Sequence, residues 1–248
     1  MGILGVILFS LATITHSYQL FRYRTWYFTP MIVGTAMEIV GYVFRTFSSQ
    51  KDPYNVIYFV VQCFFIVVAP VFFSATIYTI LSIMINSVGR QYAPLPPKVI
   101  LWIFITCDVV ATVVQVAGAA LVGSAESDRK DPTTPNNILL AGPAFQVFSF
   151  AVFALCLAIF LFGARKVSTA SMMQFSVAVC VASFFIYLRT CLRLAETAQG
   201  LMESLSTHEV FFGCLEFAPV VVVAVFILVI WNPGKWLRGR GQGMAAEH

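Results

Sequence analysis

Seven apolar runs separated by short polar segments leave this chain few folds: Ile3–Leu20, Tyr27–Phe47, Tyr54–Ile85, Val99–Val122, Ile138–Phe162, Met172–Leu192 and Val210–Trp231. A helix rises about 1.5 Å per residue, so each run is long enough to cross the ~30 Å hydrocarbon layer of a bilayer. In lipid every backbone polar group must be satisfied within the protein, which restricts spanning elements to helices and closed barrels. Charged residues are 10% of the 248, against about a quarter in soluble domains. So few charges cannot coat a globule in water. The expected fold is therefore all-α, a polytopic membrane protein with a seven-transmembrane helix bundle. Residues 1–236 form its single domain, and 237–248 a short, basic, disordered cytoplasmic tail.

The first run lacks the basic start and small-residue cleavage site of a signal peptide, and it carries His16 and Gln19 near its end. It is read as a true span, with upstream residues expected to be missing. The third run is too long for one straight crossing. Pro70 is expected to kink it, with the stretch towards Ser87 projecting from the membrane. Pro219 is expected to bend the last run similarly. Carbonyls freed by such prolines must find partners, so each proline marks either packing or a cavity.

Orientation follows from the loops. One set carries Arg22, Arg24, Arg90, Lys98, Arg165, Lys166, Lys235, Arg238 and Arg240, with Glu247 as its only acid. The opposite set carries Lys51, Asp52, Glu126, Asp128, Arg129, Lys130, Asp131, Glu203 and Glu209. The positive-inside rule places the first set in the cytoplasm, the N-terminus outside and the C-terminus inside. Gly123–Asn137 is then a polar outward loop. Because the basic residues are spread over these loops, the net charge of +4 speaks for membrane topology and against nucleic-acid binding.

Ionisable groups within a span cost about 2.5–3.5 kcal/mol each and so face the protein interior. Glu38, Gly41, Tyr42 and Arg45 share one helix face, as do Asp108 and Gln115; Arg189, Arg193 and Glu196 form a row, and Glu209 and Glu216 are seven apart. In the expected topology Glu38 lies ~16 Å into its span, Glu216 roughly 10 Å below the outer surface, and Arg45, Arg189 and Arg193 near that surface. Three arginines and three glutamates thus gather in the outer half, with Asp108 and Glu38 continuing the polar line inward. Asp108 has no basic partner at its depth and is expected to be neutral or to face water. Two readings stand together: a charge-balanced network that locks the helices, and a hydrated, outward-open cavity for an amphiphile's polar head. Gln62, Gln146 and Gln174 read singly as interhelical hydrogen-bonding groups.

Several chemistries lack their motifs. There is no G-x-x-x-x-G-K-[ST] loop and no G-x-S-x-G elbow. His16, His208 and His248 are scattered, which suits neither a zinc hydrolase nor any other metal site. The cysteines show no CxxC spacing and no disulfide framework. The last span holds no lysine for retinal. No enzyme activity, cofactor or metal is expected.

Taken together, "HSYQLFRYRTWYF" (16–28), "EIVGYVFR" (38–45), "APVFFSATIY" (69–78), Asp108 with Gln115 and Gly118, "AGPAFQ" (141–146), "LRTCLRLAETAQG" (188–200), "HEVFFGCLEFAP" (208–219) and the closing "NPG" (232–234) resemble the fungal lipid-translocating exporter family, the RTA-like seven-span proteins. The departures are Glu216 where the family usually has Asp, a missing aromatic near Gly213, and a shorter N-terminus, so the chain is read as truncated or differently started. The resemblance implies a fungal plasma-membrane protein that exports or translocates lipids such as sphingoid long-chain bases, and tolerance of sterol-like or other amphiphilic toxicants. Its carried-over residues are Glu38, Arg45, Asp108, Gln115, Arg189, Arg193, Glu196, Glu209 and Glu216. The expected partners are membrane lipids or amphiphilic small molecules. In this reading Glu216, Glu209 and Asp108 hold a cationic amine while Arg45, Arg189 and Arg193 fix their ionisation. The rival is a seven-span lipid sensor that regulates other transporters through its basic cytoplasmic loops.

Overall fold

A computed structural model describes residues 2–24, 26–50, 56–127, 133–165 and 170–199. The seventh apolar run and the tail, with Glu209 and Glu216, lie outside the described residues. The six earlier runs are helices: α1 (Gly2–Tyr23), α2 (Thr29–Gln50), α3 (Val56–Val88), α4 (Pro97–Ser127), α5 (Thr133–Ala164) and α6 (Ala170–Gln199). All six are long and apolar enough to cross a membrane. The chain is a polytopic all-α membrane protein.

Prolines mark where three of these helices begin. Pro97 opens α4, and Pro30 and Pro135 lie in the first turns of α2 and α5. The first-turn N–H groups of a helix have no intrahelical acceptor, so a proline there removes nothing. At the other end of α3, the Gly89 N–H donates to the Ile85 carbonyl at 3.0 Å. Its φ of 134° is open to glycine and closed to other residues, and it turns the chain into the short helical turn Arg90–Tyr92.

The outward loop expected over Gly123–Asn137 is mostly helix. Helix α4 runs on to Ser127 and α5 starts at Thr133. Polarity at these positions means exposure, and an exposed turn of helix keeps its hydrogen bonds as well as a buried one does. Continuing α4 also brings Ala125 into the packed interior.

Helix α3 is the hub, lying along α2 and α4 and touching α6. Of its span Phe64–Val88, 61% is buried, against 28% for Pro97–Ala125 of α4. The α3 stretch expected to project from the membrane is not left bare: Ile80, Leu81, Met84 and Ile85 are fully buried by neighbouring elements. Helix α4 turns Trp102, Ile103, Val110 and Val113 outward, an apolar surface suited to lipid.

Small residues set the closest approaches. A Cβ on Gly34 would stand 2.8 Å from Phe73, and one on Gly41 2.8 Å from Ile66. The glycines are seven apart on α2 and their partners seven apart on α3, in reversed order, so the two helices meet antiparallel along one seam. Between α4 and α5, Gly118 lies against the Leu139 backbone and Gly142 against Gln115 and the Ala111 carbonyl.

Candidate functional site

Proline has no N–H, so Pro70 withdraws from α3 the hydrogen bond that residue 70 would give to the Ile66 carbonyl. A carbonyl left open in an apolar bundle costs several kcal/mol on the order of a lost hydrogen bond, unless another donor reaches it. That donor comes from α6: Arg189 Nη2 donates to the Ile66 oxygen at 3.1 Å. Arg189 is buried and has further interactions within the bundle. The freed carbonyl expected from the sequence therefore has a named partner.

A cavity of about 10 Å³ adjoins this contact, lined by Val67, Pro70, Gln115, Gln146, Arg189, Thr190 and Arg193. That is room for roughly one water molecule. It lies where α3, α4, α5 and α6 meet. Gln115 Nε2 of α4 donates to Gln146 Oε1 of α5 at 3.2 Å, where Gly142 lets the two helices close over the Gln115 stem. Arg193 on the other wall approaches Glu196 of its own helix at 3.8 Å. Both side chains are partly exposed (27% and 18%), so solvent screening leaves this pair a small stabilising role. Its effect on the site is to offset one of two cavity cations with a nearby acid.

The second polar centre lies seven residues earlier on α4, ~10 Å along the helix from Gln115. Tyr78 and Asp108 are both fully buried, and the Tyr78 hydroxyl donates to Asp108 Oδ2 at 2.9 Å. Asp108 Oδ1 has no hydrogen-bond partner among the described residues. The Tyr78 ring is held by Phe104, Phe150 and Phe153, with centroids 5.6, 6.1 and 4.5 Å away. These tilted and edge contacts fix the phenol so that its hydroxyl meets the carboxyl. Tyr78 ends the segment "APVFFSATIY", and nothing local to that segment points to Asp108.

The remaining residues of the expected cluster divide. Glu38 is fully buried on α2 and Arg45 is half-buried nearer its end. The Tyr42 ring turns towards α1, stacked on Phe9 at 5.6 Å and lying over Gly5, so it is not among the cavity's lining residues. Its face neighbour Gly41 turns towards Ile66 of α3 instead. Arg189, Arg193 and Gln115 do meet at one cavity, joined by Gln146 and Thr190, which the sequence had not singled out for a site. Subtracting four from Pro70 would have pointed to Ile66. No local signal pairs that carbonyl with Arg189, which lies 123 residues away.

A family model described as "RTA1 like protein" matches residues 31–240, well over half of the chain. Among curated proteins, the chain is 29% identical to "Sphingoid long-chain base transporter RSB1" of Saccharomyces cerevisiae (strain Lalvin EC1118 / Prise de mousse), over 95% of this chain and 71% of that protein. It is 26% identical to "Protein RTA1" of Saccharomyces cerevisiae over 82% of this chain and 64% of the relative. "Protein RTM1" of the same species is 25% identical, over 82% and 66%. No solved structure matches the chain.

Proposed function

This chain belongs to the RTA1-like family, and from that premise we propose that it translocates sphingoid long-chain bases or chemically similar amphiphiles across the membrane. The observation that carries the reading is a cavity with two arginines and two glutamines inside a bundle whose outer surface is apolar. Polar walls inside such a bundle are expensive, and a head group in transit is what they serve. The acyl chain stays in the bilayer while the head enters between α3, α4, α5 and α6. Moving amphiphiles away from where they accumulate accounts for resistance to amphiphilic toxicants. Export of this kind places the protein in the plasma membrane, and it requires no enzyme activity or cofactor.

The same proposal includes a seventh span over Val210–Trp231, a single domain over residues 1–236, an external N-terminus and a cytoplasmic tail. In this topology Glu209 and Glu216 belong to the outer half of the last span. Ser124→Cys, at the outer end of α4, is then labelled in intact cells by a membrane-impermeant thiol reagent, while a cysteine at Arg238 reacts only after lysis. The reverse pattern would invert the topology.

The direct test is movement of a fluorescent long-chain base between leaflets of proteoliposomes containing only the purified protein. Protein-dependent movement is expected. Saturable binding without movement would replace the translocator with a lipid sensor.

A further inference from the structure

A backbone carbonyl without its own helix partner, buried in an apolar bundle, is a ready acceptor for a cation. At Ile66 that acceptor is occupied by a cation of the chain itself, the Arg189 guanidinium at 3.1 Å. We infer that the Ile66 carbonyl and the cavity beside it are the binding site for the ammonium head of a long-chain amine, and that Arg189 is an internal competitor which leaves the carbonyl when the head group binds. The inference rests on the translocator reading and names the site and the head-group chemistry within it.

The lining fits an amino-alcohol head. A primary ammonium offers N–H donors in several directions. The Ile66 carbonyl accepts one, while Gln115 and Thr190, which both carry an oxygen acceptor, line the wall beside it. The hydroxyl next to the amine in a sphingoid base meets the same amides. Val67 and Pro70 give the apolar side along which the chain's first carbons lie. Size supports exchange over simple entry, because about 10 Å³ holds roughly one water and not an ammonium together with its neighbouring carbons and hydroxyl. Withdrawing the guanidinium both makes the room and removes a like charge, which a low-dielectric interior would otherwise make strongly repulsive. Arg193 stays, with Glu196 beside it.

Pro70 is the residue on which this depends. With alanine at 70, the N–H returns, α3 satisfies the Ile66 carbonyl itself, and neither Arg189 nor a ligand is needed there. Alanine is also the better helix former by about 3 kcal/mol in a helix interior, which favours a folded variant.

The test is equilibrium binding of a fluorescent long-chain base with a free primary amine to the detergent-purified full chain, with its N-acetyl derivative as the uncharged comparison. Wild-type protein is expected to prefer the free amine. Pro70→Ala is expected to weaken that binding by about tenfold or more with no loss of thermal stability. Arg189→Gln, which removes the competitor, is expected to bind as well as wild type or better. Pro70→Ala binding within about twofold of wild type would overturn the inference, as would a folded Arg189→Gln that binds about tenfold more weakly. If Arg189→Gln does not fold, Pro70→Ala decides alone. Binding that depends on Pro70 without leaflet-to-leaflet movement would sink the translocator and keep this site. Movement that ignores Pro70 would do the opposite, and a wild type that does not bind the amine sinks both.

Discussion

Gly118→Val is expected to destroy the α4–α5 interface. A Cβ built there would lie 2.5 Å from the Leu139 Cα and 2.6 Å from its N. Both are backbone atoms, so no rotamer change relieves the clash, and α5 must move as a body. Overpacking a core costs about 1–3 kcal/mol and more when backbone must shift; this site belongs at the upper end. The damage does not stay local, because parting α4 from α5 also breaks the Gln115–Gln146 bond across the cavity. Gly123→Ala on the same helix is the control. Nothing lies within 4 Å of a Cβ there, and replacing glycine by alanine in a helix gains up to about 1 kcal/mol. Thermal unfolding of the detergent-purified variants measures both. A Gly118→Val protein that is monodisperse and melts with wild type would show that the two helices do not meet through this glycine.

The Tyr78–Asp108 pair carries the second large effect. Removing the phenolic hydroxyl in Tyr78→Phe strips a fully buried carboxyl of its donor, and Asp108→Leu leaves a buried hydroxyl without its acceptor. Each single change is expected to cost about 1–3 kcal/mol, because the surviving group stays buried and unsatisfied. The double variant is expected to recover most of the loss. With both polar groups gone, the phenyl ring remains inside the cage of Phe104, Phe150 and Phe153, and neither member of the pair is left buried without the other. The coupling energy from the four unfolding curves should reach about 1–3 kcal/mol in favour of the double variant. Additive losses would mean that the two side chains act separately. Leaflet-to-leaflet movement measured on the same variants separates stability from mechanism. A double variant that is stable but no longer moves lipid makes the carboxyl a working part of the path.

Arg189 shows why the site was harder to read than the helices. Its position in the sixth run, in a row with Arg193 and Glu196, suggests an ion-pair network, and Arg193 does approach Glu196. That contact was legible because residues three apart on a helix are neighbours wherever the helix goes. The contact of Arg189 with Ile66 joins two helices far apart in the chain, and it exists because a proline has opened one carbonyl. Tyr42 illustrates the same limit from the other side. Helical spacing groups it with Glu38 and Gly41, yet one face of α2 spans two neighbours, so Gly41 meets α3 while the Tyr42 ring meets α1.

By itself, the sequence determined the membrane class and the six described helices, since apolar length acts through local chemistry that needs no neighbour. It also marked Asp108, Gln115, Arg189 and Arg193 as groups too costly to leave facing lipid, and Pro70 as the source of a freed carbonyl. Which of them share a cavity, and that α4 and α5 extend through most of what reads as a loop, was decided by tertiary packing. Glycine seams bring particular helices within reach, and a buried polar group is satisfied by whichever partner the seam delivers. That partner is a property of three-dimensional proximity, carried by no window of the chain.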